Sequence, residues 1–266
     1  MVELCLKPLA KIGAFTWEQA RGVGYVAAVL GTLLFLGAQP RRWRRTVRAA
    51  FARQVLLAGV ESVRFTCVVA VLVGISVVVQ LQVWSGRVGQ SQMLGPLLVA
   101  VVARELGPLL ANFVLIVRAG SAMTTELGVM KAGGEVRVLQ ALGVEPLLFV
   151  VMPRVVAMAV AAFSLTVLFV LVAFVSGYLF GQLLGESKLP SVFLVGVFKA
   201  VQPLDAVGIC AKSILPALVT GVICATEGLS VGASVAEVPA ITKRALARSL
   251  GALFFASALI SLLMYL

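Results

Sequence analysis

Long apolar stretches divided by short polar ones set the pattern of this chain. Phe65–Trp84 and Val155–Leu184 contain no charged residue, and each reaches the roughly 20 apolar residues that carry an α-helix across a bilayer. Further apolar stretches follow at Met93–Val117, Ala206–Thr226 and Ser249–Leu266. The pattern predicts an all-α polytopic membrane protein: one membrane domain over 1–266, with spans at 63–84, 93–117, 147–184, 206–226 and 249–266. The strict two-residue alternation of a transmembrane β-barrel is absent.

Between the spans the polar pattern predicts shorter elements. In residues 1–54, Lys7, Lys11, Glu18 and Arg21 break up the early apolar positions, so a cleaved signal segment is not expected. Ile12–Leu36 reads as one or two helices lying in the interface, with Trp17 and Tyr25 at headgroup depth. A full span over 22–38 would be short and glycine-rich. Gly86, Arg87 and Gly89 mark the turn after the first span. Pro146 and Pro153 flank the start of the third span, where Arg154 is expected to snorkel to the interface. Gly185–Pro190 reads as an outside loop, Ser191–Val201 as a short outside or re-entrant helix, and Glu227–Arg248 as a return to the cytoplasm. There is no strong internal repeat of the kind that builds inverted-repeat carriers.

Composition agrees: 61% of the 266 residues are hydrophobic and 12% are charged. The net charge of +11 does not point to nucleic acid, because its densest cluster, Arg41, Arg42, Arg44, Arg45, Arg48 and Arg53, immediately precedes the first span. Basic residues there hold a segment in the cytoplasm and meet anionic lipid, which places the N-terminus inside. The 4 cysteines (Cys5, Cys67, Cys210, Cys224) lack CxxC spacing and three of them are expected to be buried. With no histidine in the chain, the commonest general base and metal ligand is missing, so neither catalysis nor a metal site is indicated.

The stretch from Leu94 to Pro146 breaks the apolar pattern. Arg104 and Glu105 lie inside the second span, where insertion scales put one mid-membrane Arg at roughly 2.5–3.5 kcal/mol. Adjacent helical residues point about 100° apart, so each charge needs a separate partner: a neighbouring helix, a headgroup or a water-filled cavity. Asp205 and Lys212 in the fourth span are the candidates, and a plain structural ion pair is the simplest reading. Residues 118–146 form a polar segment in which Met123, Leu127 and Met130 make an apolar stripe. That segment is either an idle surface helix or a docking element for a cytoplasmic partner. Gly133-Gly134 divides it into two short helices, since each glycine costs about 1 kcal/mol relative to alanine in a helix.

No Gly-rich phosphate loop with a following Lys-Ser/Thr occurs, so ATP-driven work would need a nucleotide-binding partner chain. The segments Arg104-Glu-Leu-Gly-Pro108, Arg118-Ala-Gly-Ser-Ala-Met-Thr-Thr-Glu-Leu-Gly-Val-Met130, Ala141-Leu-Gly-Val-Glu-Pro146 and Pro153-Arg154 resemble the MlaE (YrbE) family. These are permease subunits of ABC-type intermembrane phospholipid transporters in double-membraned bacteria and plastids. The resemblance implies an N-terminal interfacial helix, five spans and a coupling helix between the second and third. It further implies a homodimer in the bacterial inner membrane, an ABC ATPase subunit that binds the ATP, an MCE-domain partner outside, and a lipid cavity lined by the first, second and fifth spans. On it, Arg104, Glu105, Asp205 and Lys212 become lipid-path candidates. Met123, Glu126, Leu127, Met130, Lys131, Glu135, Arg137 and Leu139 become ATPase-coupling candidates, so that Glu126→Lys or Leu127→Asp should uncouple the ATPase without unfolding the permease. Gly133-Gly-Glu-Val-Arg-Val-Leu139 stands where the family usually has Thr-Glu-Gln-Ile-Asp-Ala-Leu, which exchanges an acidic position for Arg137. The last span also lacks the family's common acidic residue. Two other classes remain open from the residues alone: an ion- or proton-coupled carrier using Glu105, Asp205 and Lys212 as a relay, and a lipid-modifying enzyme acting through Glu105 or Lys212.

Overall fold

The computed structural model describes residues 24–33, 45–88, 99–183, 202–232 and 234–265, together with positions 22, 35 and 97. Trp17, the basic residues Arg41 to Arg44, Gly89 and the outside segments 185–190 and 191–201 lie outside the described residues. Helix α1 is Gly24–Leu33, and five longer apolar helices are of spanning length: Val47–Leu81, Val99–Ala132, Leu147–Leu183, Leu204–Leu229 and Val235–Met264. Each apolar window found in the sequence lies, as far as it is described, on one of these helices.

Three boundaries differ from the sequence reading. The first span is preceded by α2 (Arg45–Val55), which runs through a wide turn at Leu56–Val60 into α3 (Glu61–Val88), so Gly86 and Arg87 continue a helix rather than turn. The second span does not stop at Val117. It passes from Val99–Leu106 through α4 (Gly107–Leu115) and Ile116–Gly120 into α5 (Ser121–Ala132). The fifth begins with a single turn at Val235–Glu237 and continues as α9 (Val238–Tyr265), so Lys243, Arg244 and Arg248 ride on the helix rather than on a loop. In α9, Ile241, Ala245 and Ser249 face inward at four-residue spacing while Lys243, Arg244 and Arg248 face out. A charge-free window cuts such a helix short, whereas the 3.6-residue period carries it on.

The break at Gly133-Gly134 falls where expected. Gly134 adopts φ +81°, a left-handed conformation that glycine enters without steric penalty, and α6 (Glu135–Ala141) starts from it. Two of the wide turns, Val99–Leu106 and Leu147–Val151, lead directly into Pro108 and Pro153, where the ring and missing N–H forbid a regular turn. Two more helices complete the fold: α7 (Met152–Leu183) and α8 (Pro203–Leu229).

The second, third and fourth spans form the centre, with 56%, 50% and 56% of their apolar windows buried, against 28% and 17% for the first and fifth. The central core joins Leu115, Met123 and Leu127 to Met152, Met158 and Leu165 of α7 and Val222 of α8. Val29 and Leu33 of α1 and Val47 of α2 pack into the same core, while Tyr25 is exposed. On the flank, α3 meets α7 through small residues. A Cβ on Gly74 would lie 2.4 Å from the Ala173 carbonyl oxygen, and one on Gly177 would lie 2.5 Å from Val78. Small residues four apart let two backbones approach this closely, the usual basis of helix association in lipid. The ends that carry α2, α6 and the start of α9 share Arg48, Arg53, Lys131, Arg137, Lys243 and Arg244, and we call this the basic end.

Candidate functional site

The charged residues of the second and fourth spans meet at the end of the bundle away from the basic end. Arg104 and Glu105 leave their helix in different directions, and each finds its partner on α8. Arg104 Nη2 donates to Asp205 Oδ2 at 2.9 Å. Its Nε lies 2.9 Å from Oδ1, off the line of a second hydrogen bond. Asp205 is held by its own helix start: Pro203 occupies the first turn and the Gln202 N–H donates to Asp205 Oδ2 at 2.8 Å. A carboxylate at a helix N-terminus also sits favourably in the helix dipole.

Lys212 Nζ donates to Glu105 Oε1 and, at 3.1 Å, to the Arg104 carbonyl. Ser261 on α9 donates to Glu105 Oε1 at 3.1 Å, which ties the fifth span into the same network. Two cations thus balance two carboxylates, the condition under which charges are tolerated inside a bundle. The members are not equally covered. The Lys212 and Asp205 side chains are 2% and 6% exposed, and those of Arg104 and Glu105 are 24% and 43% exposed. Arg104 and Glu105 therefore form the open rim, and Asp205 and Lys212 the wall behind it. Arg104, Asp205 and Lys212 line a small recess with Gly208, Ile209 and Met264. All four lipid-path candidates come together here, and Asp205 and Lys212 are the partners anticipated for Arg104 and Glu105. Ser261 and Met264 were missed, because neither stands out in an apolar helix until its neighbours are known.

The coupling candidates divide. Met123 and Leu127 are fully buried and belong to the central core, and Met130 packs against it. The stripe taken for a docking face is thus the inward face of α5, because the second span continues through it. Glu126, Glu135 and Arg137 are exposed, while Lys131 and Leu139 are half-buried. The large apolar side chains that reach the surface in this region are Val129, Val138 and Leu142. Arg154 does not snorkel: it pairs with Glu126 at 3.0 Å. Glu227 pairs with Arg248, and Thr125 meets Thr242 Oγ1 at 3.3 Å. Thr124 Oγ1 donates to the Cys224 carbonyl at 3.1 Å. Of the cysteines, Cys224 is buried as expected, Cys67 and Cys210 are half-buried, and Cys5 lies outside the described residues.

Comparison with known proteins returns a family described as permease MlaE, which matches residues 51–263. The chain is 26% identical over 219 residues to the chloroplast protein TRIGALACTOSYLDIACYLGLYCEROL 1 of Arabidopsis thaliana, covering 82% of this chain and 61% of that protein. It is 28% identical over 212 residues to a probable ABC transporter permease protein of Synechocystis, covering 80% of each. Over 129 residues it is 31% identical to the intermembrane phospholipid transport system permease protein MlaE of Haemophilus influenzae, covering 48% of this chain and 49% of that one.

Proposed function

The chain belongs to the permease MlaE family and is a multi-pass membrane permease, and we propose that it moves phospholipid between inner and outer membranes, driven by a separate ABC ATPase subunit. The observation that carries this reading is the compensated cluster Arg104–Asp205 and Lys212–Glu105, set among apolar spans and open at its Arg104–Glu105 rim. A phospholipid needs an apolar surface for its chains and a polar station for its phosphate. Guanidinium and ammonium groups are the donors suited to phosphate. A phosphate entering at the rim competes with Asp205 and Glu105 for the two cations, so binding and release can be switched by small helix movements. The phospholipid named for the Haemophilus relative supports the choice of substrate.

The ATPase docks at the basic end. Val129, Val138 and Leu142, with Glu135 and Arg137 beside them, offer an exposed apolar patch with charges. The basic residues gathered at this end support a cytoplasmic placement and an N-terminus inside. A second copy of the chain, and an MCE-domain protein on the far side, complete the assembly. The thinly covered first and fifth spans leave apolar surface for the second copy and for lipid chains.

The test is reconstitution. Vesicles containing this chain with its ATPase should transfer labelled phospholipid when ATP is added, and Arg104→Ala should lower the rate at least about tenfold, the loss expected when a charged hydrogen-bonding partner of phosphate is removed. The titratable cluster also fits the ion-coupled carrier, with Glu105, Asp205 and Lys212 as a relay. Gradient-driven uptake by this chain alone, with no response to ATP, would establish that reading and defeat ours.

A further inference from the structure

We propose that Asn112 is the positioning residue of the charged cluster: it fixes the backbone of Lys212, and so places the Lys212 ammonium against Glu105, by donating to a carbonyl that Pro216 cannot serve. Pro108 and Pro216 sit inside the second and fourth spans. In an α-helix the N–H of residue i donates to the carbonyl of residue i−4, and proline has no N–H. Pro108 therefore cannot serve the Arg104 carbonyl, and Pro216 cannot serve the Lys212 carbonyl. Lys212 Nζ takes the first at 3.1 Å. The two Asn112 Nδ2 hydrogens reach the Pro108 carbonyl at 2.9 Å and, shared between neighbours, the Ser213 carbonyl at 3.2 Å and the Lys212 carbonyl at 3.4 Å.

Lys212 is thus gripped at both ends. Its ammonium closes the gap made by Pro108, and its carbonyl is closed by the residue one turn beyond Pro108. The orientation of the Asn112 amide follows from these partners, since reversing it would point Oδ1 at three carbonyl oxygens that can only accept. Asn112 is completely buried, and its Oδ1 has no partner among the described residues. The site uses only the donor half of the amide. Without Asn112 the 212–213 carbonyls lose their tie to the second span, so the α8 backbone shifts at Lys212 and carries the ammonium away from Glu105.

The geometry is testable apart from any function, although its bearing on transport rests on the phospholipid reading. With the full-length chain in detergent, a water-soluble carbodiimide activates the Glu105 carboxylate. Lys212 Nζ then displaces the urea to form an amide, the reagent having taken up the water lost. Mass spectrometry of the digest measures the Glu105–Lys212 linkage, and Lys212→Arg gives its zero level. Asn112→Leu should lower the yield about fivefold, the shift set by one lost hydrogen bond of ordinary strength. Pro216→Ala supplies an N–H to the Lys212 carbonyl, so the double variant Asn112→Leu/Pro216→Ala should recover most of the yield. Wild-type yield in Asn112→Leu overturns the proposal, as does a double variant no better than the single. Should Asn112→Leu fail to accumulate folded, recovery of folded protein in the double variant carries the same meaning and its failure the same refutation. Phospholipid transfer by the reconstituted complex should follow the linkage yield across the set. A fall in linkage with transfer unchanged leaves the positioning role standing and removes the cluster from the lipid path.

Discussion

The two ends of the bundle hold their charges in opposite ways. At the far end, Arg104, Glu105, Asp205, Lys212 and Ser261 make one network across three spans, tied to the backbone at Gln202 and at the Arg104 carbonyl. At the basic end, Glu126–Arg154 and Glu227–Arg248 are separate pairs, each joining one well-covered side chain to one largely exposed partner: 17% against 47% for Arg154 and Glu126, and 9% against 57% for Glu227 and Arg248. A network anchored to backbone can change only if helices move. A half-exposed pair can open by rotating a side chain into water, and such pairs are worth about 0–1 kcal/mol. The far end is therefore built to register helix movement, and the rim of the basic end to permit it.

The largest effect should come from testing how deep that permissive rim goes. Leu127 lies one residue beyond Glu126 yet is completely buried, whereas Val138 on α6 is exposed. Leu127→Asp, expected from the sequence to uncouple without unfolding, instead buries a carboxylate with no partner at a completely buried position, a penalty of several kcal/mol, and should abolish folded protein in detergent. Val138→Asp should fold normally and lose only ATPase co-purification. Equal thermal stability of the two variants would show that the basic end is loose throughout and that α5 is not a core helix.

These two variants also show what was legible in the sequence. The spans, the break at Gly133-Gly134 and the partners of Arg104 and Glu105 could be read, because long apolar windows, paired glycines and uncompensated charges each carry a cost with few remedies. The inward face of α5 could not be read. Met123, Leu127 and Met130 form the same stripe whether the helix docks on a partner or on its own bundle, and only the continuation of the second span decides it. The α9 start was lost for a related reason, since its basic residues fall on one exposed face. Asn112 left a faint signal that could have been used. It is a lone amide in an apolar run, one turn after Pro108, while Lys212 lies one turn before Pro216. Each proline spacing marks a carbonyl that the proline itself cannot serve.

The next effect tests the anchored network itself. Lys212→Met leaves Glu105 without its cation and the Arg104 carbonyl without Nζ. Breaking a buried pair from one side costs about 3–5 kcal/mol, so a marked drop in melting temperature is expected. Lys212→Met/Glu105→Gln removes both charges and should regain most of that stability while transfer stays abolished. If the single and double variants melt alike, the ion pair is not what holds α8 to the second span. A smaller change away from both charged regions gives a reference for pure packing. Gly74→Val drives a side chain into the Ala173 carbonyl, and overpacking of this kind costs about 1–3 kcal/mol. It should lower the melting temperature without changing the Glu105–Lys212 linkage. A lost linkage would mean that α3 and α7 set the cluster as much as α8 does.

The smallest expected effect on stability is the most informative about coupling. Glu126→Lys places a second cation beside Arg154. Because the Glu126 side chain is 47% exposed, the new lysine can turn into water, and the loss should stay below about 1 kcal/mol. Arg154 sits at the start of α7, however, and Glu126 on α5. The substitution therefore removes the clasp between the second and third spans next to α6, the element proposed to meet the ATPase. ATP hydrolysis should continue while phospholipid transfer falls, with a melting temperature close to wild type. Arg154→Glu alone should also lose transfer, but with a lower melting temperature, because that position is 17% exposed and the new carboxylate faces Glu126, and Glu126→Lys/Arg154→Glu should restore transfer by reversing the pair. If transfer survives in both single variants, the clasp carries nothing between the two ends, and movement at α6 must reach the charged cluster through the buried face at Leu127 instead.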